Sequence, residues 1–199
     1  KRHSSIAALQ WVPRVNGAER AAFETAARLS FSRFSINEIN PSGQLIRAET
    51  RPVHFPVLYV QPYQPNRDAL GLDLASDPAT LDALQQTRDA GRMWISPRML
   101  LQREDRVEYG FVARLPVYLK ADAGETEGED EEAAPDTLEI RQLQLRGFAT
   151  GIFRVSEIVG SALQDLSPSG IDMVIHDVTN EDEKHYLYRH FSRRRSADA

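Results

Sequence analysis

The order of apolar and polar positions sets most of the elements predicted for this chain. The apolar run from Ile6 to Val15, ending at Pro13, predicts a strand, because a proline inside a helix removes a hydrogen bond and clashes with the turn before it. A helix is predicted at once after it, with Asn16 as N-cap, Glu19 three residues on as in a capping box, and Ala22, Phe23, Ala26 and Ala27 as an apolar stripe at helical spacing. From Phe31 to Ile39 the period changes to two. Phe34, Ile36 and Glu38 then oppose Ser35, Asn37 and Ile39, and the turn Asn40-Pro41-Ser42-Gly43 folds the strand back onto Gln44–Ala48 as a hairpin.

The continuous run Phe55–Val60 reads as a strand and the proline-bounded Gln61–Asn66 as a loop. Ser76 and Asp77 read as the cap of a helix through Gln86 that stops at Gly91, with Leu81 and Leu84 facing a sheet. Met93–Ile95 predicts a strand, Pro97–Gln102 its bent continuation, and Arg103–Arg106 a charged turn. Tyr109–Leu119 and Leu145–Val155 have the length and the aromatic and β-branched content of central antiparallel strands. Ser156 is read as capping a short helix with Ile158, Val159, Ala162 and Leu163 on one face, ending near Gly170. Ile171–Val178 is read as a last strand and Phe191–Arg195 as a solvated tail. Helices interleaved with strands that turn back on themselves, without regular βαβ alternation, predict an α+β fold built on an antiparallel sheet.

Composition narrows the function classes. A chain of 199 residues with 41% hydrophobic content is long enough for one large or two small domains with a real core. With 29 acidic against 24 basic residues and a net charge of -5, it lacks the positive surface that phosphate neutralisation needs, so nucleic acid is not an expected partner. The absence of cysteine excludes disulfides, thiolate metal sites and cysteine nucleophiles. No stretch approaches the ~20 apolar residues of a membrane span. The chain opens on Lys1-Arg2-His3 without a methionine and reads as a piece of something longer, whose flanks would hold any membrane segments. The segment Asp122–Asp136 is rich in Asp and Glu and has no basic residue, which predicts a solvated loop; it lacks the glycine and final-glutamate spacing of a calcium loop.

The common catalytic signatures are missing: there is no Gly-x-Ser-x-Gly elbow, phosphate loop, His-Glu-x-x-His or dinucleotide glycine fingerprint. His3, His54, His176, His185 and His190 form no pair at helical ligand spacing and read as surface or turn histidines, not metal ligands. Asp73 stands out instead, because it lies in the largely apolar Leu70–Ala75. An isolated carboxylate there is costly unless something pairs with it, so its partner is either backbone, where strand passes into helix, or a ligand. Asp77, next to Pro78, reads as helix-start chemistry, with a paired-carboxylate enzyme as the weaker alternative. In Phe111–Tyr118 the alternation sets Phe111, Ala113, Leu115 and Val117 on one face and Val112 and Arg114 on the other. If the second face lines a pocket, Arg114 favours a carboxylate or phosphate ligand; if it meets solvent, Arg114 is an ordinary surface residue. Arg98 poses the same question.

Several short motifs in register resemble the CHASE domain, the extracytoplasmic sensory module of receptor kinases and cyclases. They are Leu-Gln-Trp-Val-Pro-Arg-Val (9–15), Phe-Pro-Val-Leu-Tyr-Val (55–60), Leu-Gly-Leu-Asp-Leu-Ala-Ser-Asp-Pro (70–78), Ala90-Gly91-Arg92, Gly110-Phe111 through Tyr118, and Leu145-Arg146-Gly147-Phe148 through Val155. The resemblance covers nearly the whole chain. It implies a single sensor domain over 1–199, with a PAS-like ligand-binding core at about 53–165, a membrane-proximal part from 1–52 and 166–199 that is only partial here, and an acidic loop at 121–136. Plant cytokinin receptors of this family hold an adenine ring through a carboxylate matching Asp73 and backbone near Ile95. With Arg114, Tyr59, Arg98 and Phe111, these make the candidate ligand contacts. The implied function is non-catalytic sensing of a small molecule, purine-like or carboxylate-bearing, in the periplasmic part of an inner-membrane receptor, homodimeric in full length, whose output is a histidine kinase or a diguanylate cyclase or phosphodiesterase. No cofactor or metal is implied. The alternative is a protein-interaction or structural module with no small ligand.

Overall fold

The computed structural model of the chain describes residues 5–102, 107–119, 137–164, 170–179 and 185–192. The acidic segment 121–136 and the tail beyond Ser192 lie outside the described residues. The fold is α+β. A six-stranded, mainly antiparallel sheet runs in the order β6-β1-β10-β9-β7, with β8 also pairing β9; these strands are β1 (Ile6–Pro13), β6 (Tyr59–Gln61), β7 (Trp94–Ile95), β8 (Met99–Gln102), β9 (Val107–Tyr118) and β10 (Leu145–Arg154). Three two-stranded ribbons accompany it: β2 (Val15–Asn16) with β5 (Val53–His54), β3 (Asn37–Ile39) with β4 (Leu45–Arg47), and β11 (Met173–Asp177) with β12 (His185–His190). The helices are α1 (Arg20–Ala27), α2 (Tyr63–Asn66), α3 (Pro78–Ala90), α4 (Leu138–Gln144) and α5 (Val155–Leu163).

The chain forms two compact units. The larger comprises Ala8–Trp94 and Arg114–Thr150, the smaller Lys1–Ala7, Ile95–Ala113 and Gly151–Ala199, so residues 8–52 cluster with 53–94. In the larger unit, Val12, Val57, Leu84 and Phe148 are fully buried, and Phe55 meets Phe148 edge to face at 5.5 Å. A second cluster joins Ala27, Phe34, Ile36 and Ala48, with Phe23, Phe31, Leu58 and Leu70 packed against it. The smaller unit is held by the stacked Phe111 and Phe153 rings at 5.3 Å, the Arg154–Glu108 ion pair at 3.2 Å, and the β11–β12 ribbon.

Phe34, Ile36 and Glu38, which the alternation sets on one face, are all buried, although only Asn37–Ile39 of the predicted 31–39 strand forms a strand. The hairpin forms with Asn37 opposite Arg47, closed by the Gly43 N–H donating to the Asn40 carbonyl. Other elements differ from expectation. Asn16 makes no capping bond; a 3-10 turn over Gly17–Glu19 intervenes, and Asn16 Nδ2 donates to Glu19 instead. In α1 the inward residues are Glu24 and Ala27, with Phe23 half-buried, while Ala22 and Ala26 are exposed. Only Tyr59 and Val60 of the predicted 55–60 strand join the sheet, in β6, which runs on to Gln61, and Tyr63–Asn66, predicted as loop, forms a short helix. Helix α5 begins at Val155, and Ser156 bonds Glu108 in place of capping. Helix α4, capped by Thr137, and strand β12 had no counterpart in the sequence reading.

Helix α3 starts as predicted. Asp77 accepts from the Thr80 N–H at 2.8 Å and the Thr80 hydroxyl at 2.6 Å, with Pro78 in the first turn, and it ends at Gly91 with φ +65°. The Thr80 hydroxyl and N–H hold the Asp77 carboxyl below its ordinary value. Replacing an N-cap side chain removes one satisfied helix donor, so Asp77→Ala is expected to lower stability by about 1 kcal/mol in urea denaturation at neutral pH.

Candidate functional site

The Asp73 region is built by chain crossing, not by one ladder. Gly71, at φ +81°, donates its N–H to the Val57 carbonyl and accepts from the Asn37 N–H at 2.9 Å. A Cβ there would lie 2.2 Å from the Ser35 carbonyl oxygen, so glycine is required both by the backbone angle and by the approach. Two residues on, the Asp73 N–H donates to the Asn37 carbonyl at 2.7 Å and Leu74 to that of Phe55 at 3.0 Å. The segments 35–37, 55–57 and 71–74 thus satisfy one another's backbone groups.

Asp73 sits at the centre of this crossing with no exposure. Its Oδ1 accepts from the Phe55 N–H at 2.8 Å and the Ala75 N–H at 3.1 Å; its Oδ2 lies 2.7 Å from His54 Nδ1 and 3.7 Å from Arg51. Both oxygens therefore have partners within the chain itself. His54 is equally buried, and its Nε2 has no partner among the described residues.

Arg114 has the opposite character. It lies on the buried face of β9, where Gly110, Val112, Arg114 and Pro116 alternate with more exposed neighbours, and it is 8% exposed. The surface-arginine alternative is therefore overturned: the same alternation that isolated Arg114 from Leu115 put it on the covered face. Its guanidinium lies 5.2 Å from the centre of the Trp94 ring. Among the described residues no carboxylate pairs with it, and its buried Nε has no hydrogen-bond partner. Burial alone pushes the group below its ordinary pKa. On the neighbouring strand β10, Thr150 is 4% exposed and its Oγ1 is likewise buried without a partner. The sequence reading missed Thr150; its place two residues from Phe148, on the inward alternation of a central strand, was the available signal.

The other candidates are placed as follows. Tyr59, 52% exposed, contacts Phe31 edge to face at 5.5 Å and with Phe23, Ala27 and Leu58 lines a shallow groove of about 180 Å³ in the larger unit. Ile95, Arg98 and Phe111 belong to the smaller unit. Ile95 is 56% exposed, and Phe111 is occupied by its stack on Phe153. Arg98 donates its backbone N–H to Asp177 at 2.7 Å and its side chain to the Tyr186 carbonyl, and lies over the Tyr109 ring at 4.6 Å. The structure therefore groups Tyr59, Asp73 and Arg114 in one unit and Ile95, Arg98 and Phe111 in the other. Among the described residues, no three His, Asp or Glu side chains converge in a way that would hold a metal ion, and no helix is long and apolar enough to cross a membrane.

Comparison with known proteins is consistent with this architecture. The sequence profile described as CHASE domain matches residues 1–188. The chain is also 24% identical over 172 residues to hybrid signal transduction histidine kinase A of Dictyostelium discoideum, an alignment that covers 85% of this chain and 8% of that protein.

Proposed function

This chain belongs to the CHASE domain family, non-catalytic sensory domains of signal-transduction receptors, and from that premise we propose that it is the ligand-sensing domain of a membrane-bound bacterial receptor that binds a small molecule within its larger unit. The site lies on the extracytoplasmic side, and the output is a histidine kinase, as in the similar Dictyostelium protein by its name, or a nucleotide cyclase or phosphodiesterase. Binding is relayed by a rearrangement of the sheet, which requires a ligand with different affinity for two signalling states.

The observation that carries this reading is the buried, unpaired Arg114 guanidinium among the described residues. A purely structural or protein-docking module gains nothing from an uncompensated cation under its sheet, since a buried charge without a partner is strongly unfavourable. A small-molecule site explains it, because the missing partner arrives with the ligand.

The test is a thermal-shift screen of purines, amino acids and mono- and dicarboxylates. A ligand that binds only the folded state at about 100 times its Kd stabilises it by roughly 2.7 kcal/mol, a rise of several degrees in midpoint. At least one class is expected to produce such a rise. A flat response across the whole set, at concentrations up to the solubility limit, would return the chain to the protein-interaction reading.

A further inference from the structure

We propose that the buried face of β9 and β10 in the larger unit seats a small monocarboxylate, its carboxylate held by the Arg114 guanidinium and a neighbouring polar group met by the Thr150 hydroxyl. This rests on the ligand-sensing reading above and names the class of ligand.

Among the described residues, the other buried charged side chains all have polar partners within the chain. Glu24 receives Arg20, Arg28 and Arg47, Glu38 receives Arg51, and Asp73 receives His54 and two backbone N–H groups. Arg114 stands outside that pattern: it is more than nine-tenths buried, and no described residue supplies an anion. Its fork of N–H groups matches the two oxygens of a carboxylate in one plane. The guanidinium carbon lies over the Trp94 ring at 5.2 Å, a contact that leaves the planar N–H fork as the group a carboxylate pairs with.

Charge balance selects among anions. One cation in a low-dielectric site neutralises one negative charge, whereas a phosphate dianion would bring a second charge with no counterpart, and a neutral purine would leave the guanidinium as it is. Thr150 adds a group that both donates and accepts. A hydroxyl or carbonyl next to the carboxylate, as in a 2-hydroxy or 2-oxo acid, satisfies it on the neighbouring strand. Two orphaned polar groups of different chemistry on adjacent strands therefore specify the two polar ends of one small acid.

The experiment uses this chain with sodium lactate, pyruvate and benzoate, each set against its uncharged amide at equal ionic strength, with inorganic phosphate and adenine as the rival classes, read by differential scanning calorimetry and isothermal titration. At least one acid is expected to raise the unfolding midpoint by several degrees while its amide does not. Arg114→Met is expected to weaken that acid on the order of 100-fold, and Thr150→Val by about 10-fold for the hydroxy or oxo acids alone. Arg114→Met is also expected to raise the midpoint of the ligand-free domain, because it removes an unpaired buried cation while keeping the stem's volume.

Phosphate or adenine binding that survives Arg114→Met, with no response to the acids, would overturn the carboxylate assignment and leave the sensing function standing. A silent response to every probe overturns the assignment, and the wider metabolite screen above then decides the sensing function separately. A lowered ligand-free midpoint for Arg114→Met overturns the site on its own, since it would show that the guanidinium is already paired within the chain.

Discussion

Replacing Asp73 by alanine is expected to lower the stability of the larger unit by about 4 kcal/mol or more, measured by urea denaturation with tryptophan fluorescence as the probe. Both tryptophans, Trp11 and Trp94, lie in that unit, so the signal reports on it directly. The magnitude follows from what the carboxylate does at the crossing. Removing it strands the Phe55 and Ala75 N–H groups and the His54 ring in an interior that water does not reach, and each orphaned donor costs about 1–3 kcal/mol. Asp73→Asn keeps the volume and one acceptor oxygen for the two N–H groups, so a smaller loss, about 1–2 kcal/mol, is expected. If Asp73 serves the fold, Asp73→Asn keeps the affinity of whatever ligand the domain binds. A variant that folds with unchanged stability and loses ligand binding would instead make Asp73 a recognition residue.

The contrast between Asp73 and Arg114 shows how far the sequence carries. Asp73 stands out in the sequence as a carboxylate among apolar neighbours and Arg114 as a cation set on one face of a strand by alternation, and both charges are buried. Neither pattern encodes which of the two charges finds its partners within the chain. Asp73's partners come from positions 54, 55 and 75, close enough in sequence to be guessed as a local cap, and one of them, the Ala75 N–H, is a cap in that sense. The Phe55 and His54 contacts exist because Gly71 threads between Val57 and Asn37, a crossing that no periodicity encodes. The same crossing explains the misreading of 55–60 as one strand. A continuous apolar run means burial on all sides, and here the backbone of Phe55 and Val57 bonds to the 71–74 segment in place of a neighbouring ladder.

Regular elements were legible where side-chain period and capping chemistry agreed, as in the 37–47 hairpin and α3. They were illegible where a polar sequence folds for tertiary reasons. Helix α4, Leu138–Gln144, has no buried residue: its apolar Leu138, Ile140 and Leu143 are exposed while Arg141, Gln142 and Gln144 are half-buried, and β12 is a histidine- and tyrosine-rich ribbon strand defined by its pairing with β11. Glu24 is the clearest case. Inside a helix whose apolar stripe was read from alanines, it appears as an ordinary solvent-facing glutamate, yet it is 2% exposed. Arg20 and Arg28 pair with it at helical spacing, but its other partners are Arg47 on β4 and the Ile36 N–H, neither of which is near in sequence.

That placement leads to the second large effect: Glu24→Ala is expected to destabilise the larger unit by about 3–5 kcal/mol, the range for breaking a buried ion pair by removing one partner. Oε1 accepts from Arg20 Nε and the Ile36 N–H, both at 3.1 Å, and Oε2 from Arg28 at 3.1 Å and Arg47 at 3.0 Å. One carboxylate thereby ties α1 to the β3–β4 hairpin, while Arg20 adds bonds to the Ile36 and Ala48 carbonyls, each at 2.8 Å. Burial raises the carboxyl pKa, but the Ile36 N–H and then Arg20 and Arg47 outweigh it, so the folded value lies below the ordinary one. Glu38 is lowered in the same way, burial being offset by Arg51 and the Glu49 N–H. A folded pKa below the unfolded one gives stability that is fully present above the unfolded value, near 4, and is lost as pH falls through the folded value. Urea midpoints of the wild-type domain are accordingly expected to hold from about pH 7 to pH 5 and to fall steeply below about pH 4. In Glu24→Gln, which keeps the shape but carries no charge to lose, the midpoint should start lower and the acid limb should flatten. An acid limb as steep as in the wild type would mean that the charge on Glu24 contributes nothing, and that its hydrogen bonds alone hold the hairpin to the helix.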